Sequence, residues 1–84
     1  MWWVYIIETE SGKYYTGVAK DLNVRFRQHK AELIGGAKFF RGDPPALLVY
    51  FKKCISRSEA QIREASIKSL HRTEKEYLIF TWRC

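Results

Sequence analysis

Cysteine is scarce in this chain of 84 residues: Cys54 and Cys84 are the only two, and no Cys-x-x-Cys pair occurs. His29 and His71 fall at no spacing typical of metal ligation, so a zinc centre is not expected. A bridge between the two cysteines would have to tie down the last residue, where chains are usually poorly ordered, so reduced thiols in a cytoplasmic protein are the expectation. Long apolar runs are also missing. No stretch approaches the roughly 18 residues of a membrane span, and the amino-terminus lacks a charged segment followed by a long apolar one. Neither membrane attachment nor a secretory leader is expected. Acidic residues are outnumbered, 9 against 15 Lys and Arg, which gives a net charge of +6. Such an excess suits polyanionic partners, nucleic acid above all. Below roughly 100 residues there is no room to divide a core, so residues 1 to 84 should form one domain, and a monomer is expected. The 46% hydrophobic and 15% aromatic content is enough to pack that core.

Residues 2 to 8 (WWVYIIE) and 13 to 17 (KYYTG) are rich in β-branched and aromatic side chains and read as strands. The intervening Glu10-Ser11-Gly12 makes them a hairpin, with Gly12 where a left-handed residue is wanted. A loop of those three residues sets Thr9 opposite Lys13 and places Tyr5 and Tyr15 on one face as diagonal neighbours. A two-residue loop would put them on opposite faces.

Asp21 can cap a helix running to about Ile34, with Gly35-Gly36 as the stop. Its apolar stripe is Leu22, Phe26 and Leu33; His29 falls inside the stripe and Arg25 at its edge. Residues 35 to 45 form a Gly/Pro-rich loop, and ALLVYFKKC at 46 to 54 reads as a central or third strand. Ser56 and Glu59 match a capping box opening a helix from Arg57 to about His71, with Ala60, Ile67 and Leu70 facing the core. Glu64 lies beside that stripe, where an apolar residue would be expected. A short helix from Thr73 or Glu74 to about Phe80 closes the chain, with Tyr77, Leu78 and Phe80 available for packing. The expected fold is α+β: a small three-stranded antiparallel sheet flanked by helices, in the order β-β-α-β-α-α.

Two tyrosines, an arginine, a histidine and a carboxylate are thereby directed toward one region. In this respect the chain resembles the GIY-YIG nuclease superfamily, and most closely its small bacterial stand-alone branch. The first motif stands as Trp3-Val4-Tyr5 and the second as Tyr15-Thr16-Gly17. The likeness continues through AKDLNVRFRQH at 19 to 29, which carries Arg25 and His29, and SEAQIREASIK at 58 to 68, which carries Glu64. Four motifs in family order are far more specific than either tripeptide alone. Trp3 stands where the first motif commonly has glycine, and Val18 where the repair nuclease has lysine, leaving Lys20 to supply any cation there. The asparagine found after the glutamate in several members has no counterpart.

The resemblance implies a metal-dependent endonuclease acting on DNA. Glu64 would hold Mg²⁺ or Mn²⁺ as its only protein ligand, the shell being completed by waters and phosphate oxygens. Arg25 would clamp the scissile phosphate with its planar fork. Tyr15, with Tyr5 nearby, would orient or deprotonate the attacking water, and His29 could relay the proton. Lys20, Arg27, Lys30, Lys38, Arg41 and Arg63 are the candidates for gripping nucleic acid, with Phe39 and Phe40 as stacking groups. Each residue also has an ordinary reading: strand tyrosines pack, a histidine on an apolar stripe belongs to the core, and Glu64 can pair with Lys68. A catalytically inactive nucleic-acid-binding module is the competing function.

Overall fold

The hairpin forms in the expected register. In the computed structural model, which describes residues 1–83, strand β1 spans Trp2–Thr9 and strand β2 spans Tyr14–Ala19. Ile7 lies opposite Tyr15 and Glu8 opposite Tyr14, while the Thr9 N–H donates to the Lys13 carbonyl at 2.8 Å. Gly12 takes φ +91°, the left-handed conformation that the three-residue loop requires. Cys84, and with it the question of a bridge, lies outside the described residues; Cys54 is a buried free thiol.

Strand β3, Pro45–Cys54, pairs antiparallel with β1, so the sheet order is β2-β1-β3 and the first strand is the central one. That position explains why Val4, Tyr5, Ile6 and Ile7 are all buried rather than alternately exposed. Alternation persists in what each face meets. Val4 and Ile6 pack with Val49, Tyr50, Cys54, Ala60, Ile67 and Ile79. Tyr5 and Ile7 pack on the other side with Ala19, Phe40, Leu22 and Phe26.

Helix α1 spans Leu22–His29, capped by the Asp21 carboxylate accepting from the Val24 N–H at 3.1 Å. It ends about five residues before the expected Gly35-Gly36 stop. Ala31 adopts φ +65°, and the Glu32 and Ala31 N–H groups bond back to the carbonyls of Arg27 and Gln28. This is a Schellman closure, with alanine in the place glycine usually takes. Leu33 therefore leaves the helical stripe, and the loop that follows makes a 3-10 turn at Lys38–Phe40.

Helix α2 covers Arg57–Lys68, with the Ser56 hydroxyl accepting from the Glu59 N–H. It stops three residues short of His71, because His71 caps the next helix: its N–H donates to the Glu74 carboxylate at 2.8 Å. Helix α3 runs from Arg72 to Arg83, longer than expected. Leu78 and Ile79 pack on the core, whereas Tyr77 and Phe80, expected to pack, are exposed. None of these helices is long and apolar enough to cross a membrane.

Candidate active site

Tyr5 and Tyr15 share the face of the sheet that α1 covers, their ring centroids 6.3 Å apart. Gly17 lies directly across from Tyr5 in β2, and a Cβ there would stand 2.6 Å from the Tyr5 hydroxyl and 3.1 Å from the Tyr15 ring. The phenol lies across bare backbone, so the motif's glycine is required by contact rather than by its own torsion angles.

His29, only 4% exposed, meets the Tyr5 hydroxyl through Nε2 at 2.8 Å. Its Nδ1 accepts the Ala37 N–H at 3.1 Å. A neutral imidazole that accepts at Nδ1 carries its proton at Nε2, so His29 donates to the Tyr5 oxygen and leaves the phenol's own proton free to be donated elsewhere. Burial, with Arg25 nearby, pushes the His29 pKa down to about 4, which keeps the ring neutral near pH 7. Gly36 makes this contact achievable: a Cβ there would fall 2.1 Å from the Gln28 carbonyl oxygen.

Tyr5 is 1% exposed, and that burial, with Tyr15 beside it, raises its pKa far above the ordinary tyrosine value. Arg25 pulls it back and Glu64 adds a smaller upward push. The Arg25 Nη1 donates to the Gly35 carbonyl at 2.8 Å and to the Gln28 side chain at 3.0 Å, holding the guanidinium at the start of the same loop. Tyr15 is partly exposed and is bordered by His29, Phe39 and Phe40 at ring distances of 5.1, 5.3 and 4.9 Å.

Glu64 comes from α2, on the opposite side of the sheet from α1, and its carboxylate pairs with Lys68 at 3.2 Å, the ordinary reading of that residue. Among the described residues no group of three or more His, Cys, Asp and Glu gathers at one point. A metal at Glu64 would thus keep most of its shell as water, a coordination that magnesium accepts and structural zinc does not.

The expected grip residues divide. Arg27 and Lys30 share Glu32 at 3.3 and 3.2 Å, and Arg63 approaches Glu59 at 3.9 Å. Lys38 and Arg41 are exposed and form no ion pair among the described residues. Lys20, expected to supply a cation near Val18, reaches over the Trp2 ring, which packs with Val18 on the α2 and α3 side. One expectation is corrected. Phe40 is buried against His29 at 4.6 Å and offers no stacking surface, while Phe39 remains exposed.

Residues 1–77 match the family model described as the GIY-YIG catalytic domain. The chain belongs to the GIY-YIG family. A UPF0213 protein of the archaeon Halobacterium salinarum is 44% identical over 75 residues, covering 89% of this chain and 95% of that protein. A UPF0213 protein of the bacterium Desulfotalea psychrophila is 38% identical over 78 residues, covering 93% of this chain and 70% of its own. The solution NMR structure of a UPF0213 protein from Bacillus halodurans superimposes with a TM-score of 0.61 at 36% identity, covering 96% of this chain and 85% of that one. The four motif segments read from the sequence lie on β1, β2, α1 and α2, within the matched range. The Ala37 N–H, which lies between the motifs, leaves no side-chain signature in the sequence, and Gly36 reads there as a helix stop rather than as the close approach it makes.

Proposed function

We propose that this GIY-YIG protein is an endonuclease that hydrolyses phosphodiester bonds in DNA, working as a cytoplasmic monomer with one divalent ion. The observation that carries the reading is the hydrogen-bonded line from the Ala37 N–H through His29 to Tyr5, set beside Tyr15 and Arg25. The His29 bond leaves the buried phenol's own proton available for donation. A divalent ion such as Mg²⁺ or Mn²⁺ at Glu64 supplies charge neutralisation and a more acidic water. The protein's own residues do the rest. Arg25, with one nitrogen held by Gly35, presents its remaining donors to the phosphate oxygens. Tyr5, kept protonated by burial, accepts from His29 and keeps its own proton to donate, which leaves the partly exposed Tyr15 to orient the attacking water or take its proton. His29, with both ring nitrogens engaged, positions Tyr5 in place of the relay expected from sequence.

The test is a cleavage assay on plasmid, branched and single-stranded DNA with Mg²⁺ or Mn²⁺. Tyr15→Phe and Glu64→Ala proteins, purified identically, control for contaminating nuclease. Each substitution is expected to lower the rate by about 10²-fold or more. Activity surviving in both variants would sink the proposal. Binding without cleavage in any preparation would establish the binding module, a reading that the Glu64–Lys68 pair favours.

A further inference from the structure

A second feature lies beside the β2 edge of the sheet. Lys13, Tyr14, Phe39, Arg72 and Lys75, drawn from the hairpin, the loop and α3, line an open cleft of about 300 Å³ that no carboxylate lines. The Arg72 guanidinium sits 4.5 Å from the Tyr14 ring centroid, a cation on an aromatic face. Arg72 also pairs with Glu76 at 3.4 Å, and Glu8 approaches Tyr14 from outside the cleft. Lys13 lies within electrostatic reach of Asp43 outside the cleft, but neither Lys13 nor Lys75 forms an ion pair among the described residues and the lining itself is positive. Phe39 is 43% exposed and belongs to both places, because its other side lies 5.3 Å from the Tyr15 ring.

We propose that this cleft is a phosphate subsite for the nucleic-acid strand being cut, with Phe39 as the base-stacking wall between it and Tyr15. A strand presents phosphates and flat bases in alternation. The chain presents, in sequence along its surface, the Arg25 guanidinium and Tyr15, then an exposed ring, then two ammonium groups outside any ion pair among the described residues. An apolar ligand would have no use for three cations, and a lone anion none for the ring. Point-charge lysines suit a phosphate whose position need not be fixed as closely as the scissile one. The link to Tyr15 rests on the nuclease reading; the cleft's affinity for nucleic acid does not.

The experiment measures fluorescence anisotropy of a short fluorescein-labelled single strand, in EDTA so that nothing is cut, over a series of salt concentrations. Lys13→Ala/Lys75→Ala is expected to weaken binding by about tenfold and to reduce the log–log salt slope by between about 1 and 2. Phe39→Ala should weaken it by about fivefold or more without changing that slope. The charge-keeping Lys13→Arg/Lys75→Arg protein should bind like wild type. So should Lys53→Ala, on the opposite edge strand. Unchanged affinity and slope in the double alanine protein would overturn the subsite. Cleavage that needs Tyr15 and Glu64, alongside binding indifferent to Lys13 and Lys75, would overturn it alone. Wild-type binding without cleavage would remove the nuclease reading alone, and no binding would remove both. An acidic peptide that displaces the oligonucleotide from wild type but not from the double variant would reassign the cleft to proteins.

Discussion

The two faces of the sheet are built from the same strands yet differ in what they spend burial on. Toward α2 and α3 the side chains of Val4 and Ile6 enter a mainly aliphatic cluster that also takes in Tyr50 and Cys54, and the Thr16 hydroxyl is a buried polar atom with no partner among the described residues. Toward α1 the next residues along, Tyr5 and Ile7, enter a layer of aromatic rings threaded by hydrogen bonds from the Ala37 backbone through His29 to Tyr5. One face therefore gains stability from area alone, whereas the other spends burial on fixing the orientation of polar groups. The difference teaches that alternation along one strand can separate folding from chemistry, so that substitutions one residue apart should have different phenotypes.

The largest effect expected is on stability, from the aliphatic face. Ile6 is fully buried, and Ile6→Ala should cost about 2–5 kcal/mol by urea denaturation, through lost transfer energy and the cavity left behind. The rate of cleavage per folded molecule should stay unchanged. A variant as stable as wild type, or one that is folded but inactive, would break the division between the faces.

Acid should then strike the other face. In the unfolded chain His29 takes up a proton near pH 6.5, but in the folded chain only near pH 4. Between those values the unfolded state binds more protons, so stability is fully present above about pH 6.5 and falls as the pH drops toward 4. The gap corresponds to at most about 3 kcal/mol. Protonation at Nδ1 also expels the Ala37 N–H, so the loop should loosen in the same window. Urea midpoints at several pH values, for wild type and His29→Gln, isolate this contribution, and equal pH slopes in the two proteins would refute it.

Gly17→Ala sharpens the contrast at a smaller scale. The added methyl meets the Tyr5 hydroxyl at 2.6 Å, and Tyr5 is held by His29, so relief requires breaking that bond. A cost of about 1–3 kcal/mol is expected, together with a loss of cleavage out of proportion to it. Gly12→Ala, where a Cβ meets nothing but the backbone has φ +91°, is the matched control that should affect stability alone. Equal cleavage by the two variants would deny Tyr5 a part in the chemistry.

What could be read in advance follows the same division. The hairpin was legible, and strict alternation tied the shared face of the tyrosines to a three-residue loop; the sequence left a two-residue loop open, and the Thr9–Lys13 pairing decides between them. The end of α1 was not, since Ala31 takes a torsion angle that composition assigns to glycine, while Gly35-Gly36 looked like the stop. Gly36 instead serves the close approach of the loop to α1. Phe39 and Phe40 are indistinguishable in sequence; the 3-10 turn sends one to solvent and the other onto His29. Arg25, His29 and Glu64 were found by motif order, but their partners Gly35, Ala37 and the Tyr5 phenol depend on contacts between distant segments.

The smallest expected effect bears on the residue that joins the two faces. Glu64 rises from the helix on the α2 side of the sheet, yet its charge bears on Tyr5, and its half-buried carboxylate pairs with the exposed Lys68 as an i,i+4 bridge. Such a pair contributes about 0.3–0.5 kcal/mol. If that is all Glu64 does, Lys68→Ala and Glu64→Ala should lower stability by the same small amount, and neither should change Mn²⁺ binding measured by calorimetry. If Glu64 is the metal ligand, the two substitutions part company. Removing the lysine frees both carboxylate oxygens and leaves Mn²⁺ affinity equal or higher, whereas removing the glutamate abolishes it. The thermal stability of the two variants would remain indistinguishable, so the metal titration, and not the melting curve, decides whether the aliphatic side lends this one group to the chemistry across the sheet.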